Sequence, residues 1–482
     1  MKRINIILLL AGLLAACSDW LDVRPQTEKI KEELFDTQKG FEDALVGAYI
    51  RLKGDNAYGN ALSWGTIEYM AQHWDVTTAN SISALSNLKR YEYANAYVEV
   101  WMSGMYQELY RVIADVNSIL ERIDDRRDIF DQGVREMIKG EALALRAFCH
   151  LDVLRLFGPI PGTASDEPVL PYVKTVSNVI REHSSYQQFT RALLDDLDEA
   201  ESLLGEVDPI RAYSITELNS SVDNGGVIST GNDFQAYRQV RMNYLAALAI
   251  RARFHLWMQD KAEAGRYAQM VIEAADRNGN SIFRLGTQGD MTLEDFTAST
   301  EHIFALAIHD LAARAESRFG QQGSYIKQDF DYYLGQLFPA AERTVDIRFA
   351  LWIPKQTDNT YKILKKFIQR DSRPILQLPL VRLSEMYLIR AECAATIEEA
   401  NAAYAPFAIA KGIPFSGFSS EQDRESKIIR EYNREFYAEG QGFFTYKRLN
   451  AASILWAAYP IVGSPAVYVA PLPTREIEYH NK

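Results

Sequence analysis

Along this chain, stretches with apolar residues at three- and four-residue steps alternate with stretches that lack such a period. From Trp101 to Ile123 the apolar positions Met105, Leu109, Val112, Val116, Ile119, Leu120 and Ile123 fall on one face of a helix. Phe41–Arg51 repeats the step at Phe41, Ala44, Leu45, Ala48 and Tyr49. A third helix is predicted over Gly133–Phe157. From Ala142 onward its only polar residues are Arg146, His150, Asp152 and Arg155, so it is expected to be covered on most sides. It ends at Gly158-Pro159, where proline cannot continue the ladder. Tyr186–Leu204 is amphipathic with an acidic face. Met242–Met258 and Lys261–Ala275 form a helix pair around Gln259-Asp260, and Ala249, Ala252, Ala264 and Ala268 permit close packing. Arg382–Ala395 and Ser426–Tyr437 complete the helical set.

The intervening stretches differ in kind. Residues 54–95 are rich in Tyr, Trp, Asn, Ser and Gly, and residues 205–240 are polar with a turn at Asn224-Gly225-Gly226. From Asn278 to Arg373 the helical period fades, leaving Ile303–Ile308 as a candidate strand. Residues 450–482 are apolar and contain proline. Loops this long in a compact domain are functional or disordered, and aromatic-rich ones are poor candidates for disorder. The helix pair at 242–275 resembles a tetratricopeptide hairpin, although no strict 34-residue period runs through the chain.

The N-terminus changes the picture most. Lys2 and Arg3 precede an apolar run from Ile4 to Leu14, too short to span a bilayer but long enough for a signal peptide. The run ends in Leu14-Ala15-Ala16-Cys17, which resembles a bacterial lipobox. Residues 1–16 are therefore expected to be removed and Cys17 to be lipidated, palmitate among its acyl chains. Several chains hold a protein firmly to a membrane. Removing Lys2 and Arg3 takes the formal charge from −12 to −14, which argues against nucleic acid as a partner. Cys149 and Cys393 lie in apolar helical segments and read as core residues, not a disulfide.

Taken in order, six segments resemble the SusD/RagB family of outer-membrane nutrient-uptake lipoproteins of Bacteroidetes. Cys17-Ser18-Asp19-Trp20-Leu21-Asp22-Val23-Arg24-Pro25 is similar to the family's start. Tyr106, Tyr110 and Asn117 match its early aromatic helix. Glu141–Phe148 through Leu156–Pro161 is close to its most recognisable stretch. Leu383–Glu392, Arg434–Gly440 and Pro471–Ile477 match three further elements. Gln239-Val240-Arg241-Met242, ahead of the helix pair, departs from the pattern.

The resemblance implies a mostly α fold. A tetratricopeptide-like helical-repeat scaffold over 27–53, 96–160, 185–275 and 375–450 would carry an irregular, loop-rich ligand-binding half over 54–95, 276–374 and 451–482. Residues 17–482 would form a single domain. It further implies a cell-surface protein, lipid-anchored in the outer membrane, that binds nutrient oligosaccharide and passes it to a SusC-like TonB-dependent barrel without catalysis. Some members handle peptides. No cofactor is expected, and a structural calcium is left open.

A glycan platform needs flat aromatic faces, with carboxylates and amides for the hydroxyls. Tyr58, Trp64, Tyr69, Trp74, Asp75 and Asn80 are one candidate cluster; Tyr325 and Tyr332, among Phe319, Phe330 and Tyr333, are a second. Trp74-Asp75 pairs a stacking face with an acceptor and is the leading candidate. Core packing is the competing reading for each of these rings. Glu141, Arg146, Glu385, Arg390, Glu392, Arg434 and Glu435 sit among apolar positions and read as buried ion pairs, not as catalysts. No metalloprotease, nucleophile-elbow or phosphate-loop motif occurs. His302 and His309 have the odd spacing that points them to opposite faces of a strand. Asp329-x-Asp331 opens like a calcium loop, but Leu334 stands where an EF-hand requires glycine. A helical glycoside hydrolase or lyase remains the alternative from another class, since two carboxylates could still meet across a cleft.

Overall fold

The computed structural model describes residues 33–76, 83–165, 167–177, 179–220, 233–320, 323–327, 335–353, 364–368, 376–457 and 459–480. Cys17, Asn80 and Tyr332 lie outside the described residues, as do Phe330 and Tyr333.

Ten helices matter most for the site: α1 Gln38–Leu52, α2 Ala96–Leu120, α3 Val134–Phe157, α4 Tyr186–Val207, α5 Tyr244–Trp257, α6 Lys261–Ile272, α7 Leu383–Cys393, α8 Ile397–Lys411, α9 Glu421–Glu435 and α10 Gly442–Arg448. Their starts follow local chemistry. Thr37, Asn95, Asn243, Thr396 and Ser420 each accept a backbone N–H of the first turn. Ser185 and Gln188 close a capping box at α4. Helix α3 is buried along nearly its whole length, as its apolar run predicts.

Neighbours in sequence are neighbours in space. Helix α1 packs on α2, α2 on α3 and α3 on α4; α5 packs on α6, α6 on α7, and α7 on both α8 and α9. The joint between the two runs is made by α4 against α5. At Gly140 on α3 an added Cβ would sit 2.7 Å from Leu204 Cγ, so a glycine is what lets α3 and α4 approach. The fold is mostly helical, as the periodicity predicts. Two of these ten helices escape that reading. Ile397–Lys411 is alanine-rich with Pro406 inside it and shows almost no apolar stripe, and Gly442–Arg448 is short and buried all round.

The strand predicted at Ile303–Ile308 forms as β1, His302–Ala307. It pairs antiparallel with β2, Gln377–Arg382, which leads straight into α7. His302 stands opposite Arg382 and Ala307 opposite Gln377. His302 is spent within this ribbon, its Nδ1 2.8 Å from Gln377 Oε1. The region where the period fades also holds a helix, Leu311–Phe319, whose Leu311, Ala315 and Phe319 form a buried i, i+4 stripe.

The charges expected to pair inside the helical scaffold do so. Glu141 accepts from Arg238 (2.6 Å) and Arg241 (3.1 Å), Arg146 donates to Asp196 (2.6 Å), and Arg253 to Glu385 (2.6 Å). Arg448 pairs with Glu392 (2.5 Å). Arg434 pairs with Glu342 and Glu431. Glu435 lies between Arg382 (2.5 Å) and Arg348 (2.8 Å), and Glu301 binds Lys411 (2.5 Å) and Arg382 (3.1 Å). Burial opposes ionisation of Glu435, yet Lys411, Arg382 and Arg348 together hold its carboxyl well below the usual carboxylate range. Arg390 is the exception: it has no ion pair among the described residues, and its Nε is buried without a hydrogen-bond partner. Cys149 and Cys393 are both free thiols, Cys149 buried and Cys393 half-buried.

Candidate functional site: an aromatic nest beside α9

Chain segments far apart in sequence meet where Trp74 follows the short helix Thr66–Met70. The Trp74 ring lies parallel to that of Tyr325, centroids 5.6 Å apart and planes 10° apart. Tyr437, just past the end of α9, meets Trp74 edge-on at 5.2 Å, and Phe319 packs at 5.8 Å. Trp74 Nε1 donates to the Trp64 carbonyl at 2.6 Å, which fixes the indole's orientation. The segments are also stitched through their backbones: the Asp75 N–H donates to the Ile326 carbonyl (2.7 Å).

The polar groups of the nest are largely engaged. Asp75 accepts from Lys89 Nζ (2.7 Å) and Lys327 Nζ (3.3 Å). Lys327 also donates to the Gln72 and Trp456 carbonyls, each at 2.8 Å. Burial pushes the Lys327 ammonium down to about 8, with Asp75 pulling the other way. His73 has both ring nitrogens occupied, Nδ1 2.5 Å from Glu68 and Nε2 2.9 Å from Asn433, so it fastens this segment to α9. Trp74, Tyr325, Lys327, Trp352, Arg434 and Tyr437 line a cavity whose open volume is about 20 Å³. That holds a water molecule, not a sugar ring.

Three of the rings expected on a sugar platform belong to the core instead. Tyr58 stacks on Phe148 of α3 at 5.3 Å. Trp64, 1% exposed, packs against Phe319 and Phe367, both at 5.2 Å. Tyr69 is buried edge-on against Tyr325. Large rings yield the most free energy when fully removed from water, and here neighbouring rings are close enough to remove them. Trp74 is 2% exposed, with one face covered by Tyr325, and Asp75 is tied to two lysines. The reading of Trp74-Asp75 as an open face beside a free acceptor is therefore corrected.

Tyr325 is the half-buried member that reaches the surface. Its hydroxyl donates to Asn60 Oδ1 at 2.6 Å, and the Arg318 guanidinium lies 5.5 Å from its ring centre. Gly65 makes this possible: an added Cβ would stand 2.7 Å from Asn60 Nδ2 and 3.0 Å from the Tyr325 hydroxyl. An aromatic ring, an amide and a guanidinium at one surface point form a set suited to hydroxyl-bearing ligands. Asn60, Arg318, Lys327, Trp352 and Tyr437 were missed from sequence. Tyr437 had a signal, since it falls inside the Arg434–Gly440 element; Trp352 stands alone in a stretch without a period. Among the described residues no group of three or more His, Cys, Asp or Glu side chains could hold a metal ion.

The architecture is thus a helix-pair scaffold carrying an irregular aromatic half, and known proteins share it. A family described as "Starch-binding associating with outer membrane" matches residues 19–215, and the "SusD family" matches residues 350–463. The chain belongs to the SusD/RagB family. SusD-like protein P38 of Formosa agariphila is 25% identical over 253 residues, 51% of this chain and 46% of that protein. SusD-like protein P25 of the same organism is 26% identical over 169 residues, 33% of this chain and 31% of that one. The chain thus matches less than half the length of either relative. A SusD superfamily protein from Bacteroides thetaiotaomicron superposes with a TM-score of 0.70 at 19% identity, covering 92% of this chain and 98% of the other. A SusD-like carbohydrate binding protein from Bacteroides vulgatus gives 0.68 at 17%, covering 92% and 97%. At these identities the likeness shows the fold, a tetratricopeptide-like helical one. No helix among the described residues is long and apolar enough to cross a membrane.

Proposed function

We propose that this protein binds nutrient oligosaccharide at the cell surface and hands it, unaltered, to a TonB-dependent outer-membrane transporter. Family membership supports a sugar-binding role at the outer membrane. The observation that carries the reading is the stacked Trp74–Tyr325 pair, whose outer ring reaches solvent beside Asn60 and Arg318. Tyr325 supplies the face for a sugar ring, Asn60 and Arg318 serve the hydroxyls, and Trp74 backs Tyr325 rather than touching ligand. Asn80 and Tyr332 are further candidate contacts by their position in the sequence. Cys17 carries the lipid anchor, which keeps the binder beside its transporter and raises the local concentration there. A shallow site with one ring implies dissociation constants in the micromolar to millimolar range.

The test is calorimetry of the chain from Ser18 onward against neutral oligosaccharides, followed by chromatography of the recovered sugar. Saturable binding, lost in Tyr325→Ala with the sugar recovered intact, is the expected result. Shortened or unsaturated products would turn the reading to a hydrolase or lyase. Binding of peptides with no sugar affinity would turn it to a peptide-handling member.

A further inference from the structure

The surface opens into a groove at the other end of α9, away from the aromatic nest. The rise along this helix from Glu421 to Arg434 is about 20 Å. The groove encloses about 590 Å³, inside the range of roughly 300–1,000 Å³ that ligand sites occupy. Its floor is buried: Leu256 of α5, Ile428 of α9, and Arg448 joined to Glu392 by two hydrogen bonds of 2.5 and 2.9 Å. Its rims are exposed, and the unpaired charge on each is opposite in sign, Lys261 on one and Glu425 on the other. The turn between α5 and α6 brings Gln259 and Lys261; the first turns of α9 bring Gln422, Glu425 and Glu421, the last paired with Arg424. Neither Lys261 nor Glu425 has an ion-pair partner among the described residues.

Two rim residues, Gln259 and Asn450, hold left-handed backbone with φ of +61° and +46°. Each closes a helix end in the usual way, Asp260 N–H donating to the His255 carbonyl and Ala451 N–H to the Tyr446 carbonyl, both at 2.9 Å. No aromatic ring lines the groove, so it has no face for a sugar ring. The amides of Gln259, Gln422 and Asn450 each offer both a donor and an acceptor, the complement of a peptide bond. In an extended strand, alternate side chains point to opposite sides. A strand laid between these rims turns one set of side chains to Lys261 and the other to Glu425.

We propose that this groove captures an extended segment of a partner protein in which acidic and basic residues alternate. The acidic side chains face Lys261, the basic ones face Glu425, and the amides read the backbone between. The groove shares no residue with the nest, so this inference stands whether or not the sugar reading does.

Fluorescence anisotropy of a labelled peptide in which glutamate and lysine strictly alternate, against the chain from Ser18 onward, tests it. A block peptide of the same length and composition, all its glutamates preceding all its lysines, lacks the alternation. The alternating peptide is expected to bind at least about five-fold more tightly than the block peptide. Lys261→Glu, which makes both rims acidic at an exposed position, is expected to weaken binding by a similar factor while the circular dichroism stays unchanged. Equal binding of the two peptides, no binding, or indifference to Lys261→Glu would overturn the proposal. So would displacement of the peptide by a neutral oligosaccharide, which would make the groove a second sugar site.

Discussion

At the C-terminal end of α9, Arg434 and Tyr437 close on a nest of interlocked rings with about 20 Å³ open inside it; at the N-terminal end, Glu421 and Glu425 edge a polar groove of about 590 Å³. In the nest the rings proposed to serve recognition also hold the molecule together. Trp74 has its indole N–H bonded, one face stacked and its edge packed. The groove keeps most of its permanent contacts in the floor and leaves Lys261 and Glu425 on its rims in water. Changes in the nest should therefore move stability and binding together, whereas changes on the groove rims should move binding alone.

The comparison breaks most severely at the buried charges between the two ends. Glu435→Gln takes the charge from the carboxylate shared by Arg382, Arg348 and Lys411, so three buried cations lose part of their compensation and keep Glu301, Glu439, Asp346 and Glu431. A loss of about 3–5 kcal/mol is expected, read as a fall in the urea midpoint. Trp74→Ala should cost a similar 3–5 kcal/mol by leaving a cavity among Tyr325, Tyr437 and Phe319. A change below about 1 kcal/mol would mean that the nest is not a packed unit.

A pH scan sharpens the same contrast. Lys327 and Lys366 are each pushed down to about 8, in both cases chiefly by burial. An unfolded lysine keeps its proton to about pH 10.4. Below about pH 8 both states are protonated and the contribution is flat. Between about pH 8 and 10 the unfolded chain binds more protons than the folded one, so these two groups make stability rise with pH. Above about pH 10 the buried tyrosines, Tyr91 and Tyr437 among them, oppose the rise, because burial raises their folded-state values. Urea midpoints at pH 7.5, 8.5 and 9.5 check this, and Lys366→Met should flatten the slope.

Smaller effects separate the surface from the interior. Tyr325→Phe removes the hydrogen bond to Asn60 and should cost about 1 kcal/mol in stability. Under the sugar reading, calorimetry of this variant should show binding weakened but not abolished, since the ring remains. On the groove rim, Lys261→Glu should change the midpoint by less than about 0.5 kcal/mol. A larger shift would mean that Lys261 helps to hold the helices together.

Much of the scaffold could be read in advance because a helix writes its packing face into the sequence every three or four residues. The stripe of α2 and the nearly all-apolar α3 are visible without coordinates, as is the α5–α6 pair. The six ordered segments also sufficed to point to the family. The charged residues inside those segments could be read as ion pairs, since no ionised group stays among apolar neighbours without compensation. Their partners could not: Arg238, Asp196, Arg253 and Arg348 come from other elements with no fixed spacing. The aromatic segments announced that something was built there, but not which ring would face outward.

Composition and periodicity determined the helical scaffold, the buried character of its charged residues and the presence of an aromatic half. Tertiary structure alone decided that Tyr58, Trp64 and Tyr69 are core, that Tyr325 is the ring at the surface, and that the two ends of α9 differ so sharply. The reason is physical. A helix buries a face set by its own repeat, whereas a ring in an irregular segment is buried or exposed by whatever the distant chain brings against it.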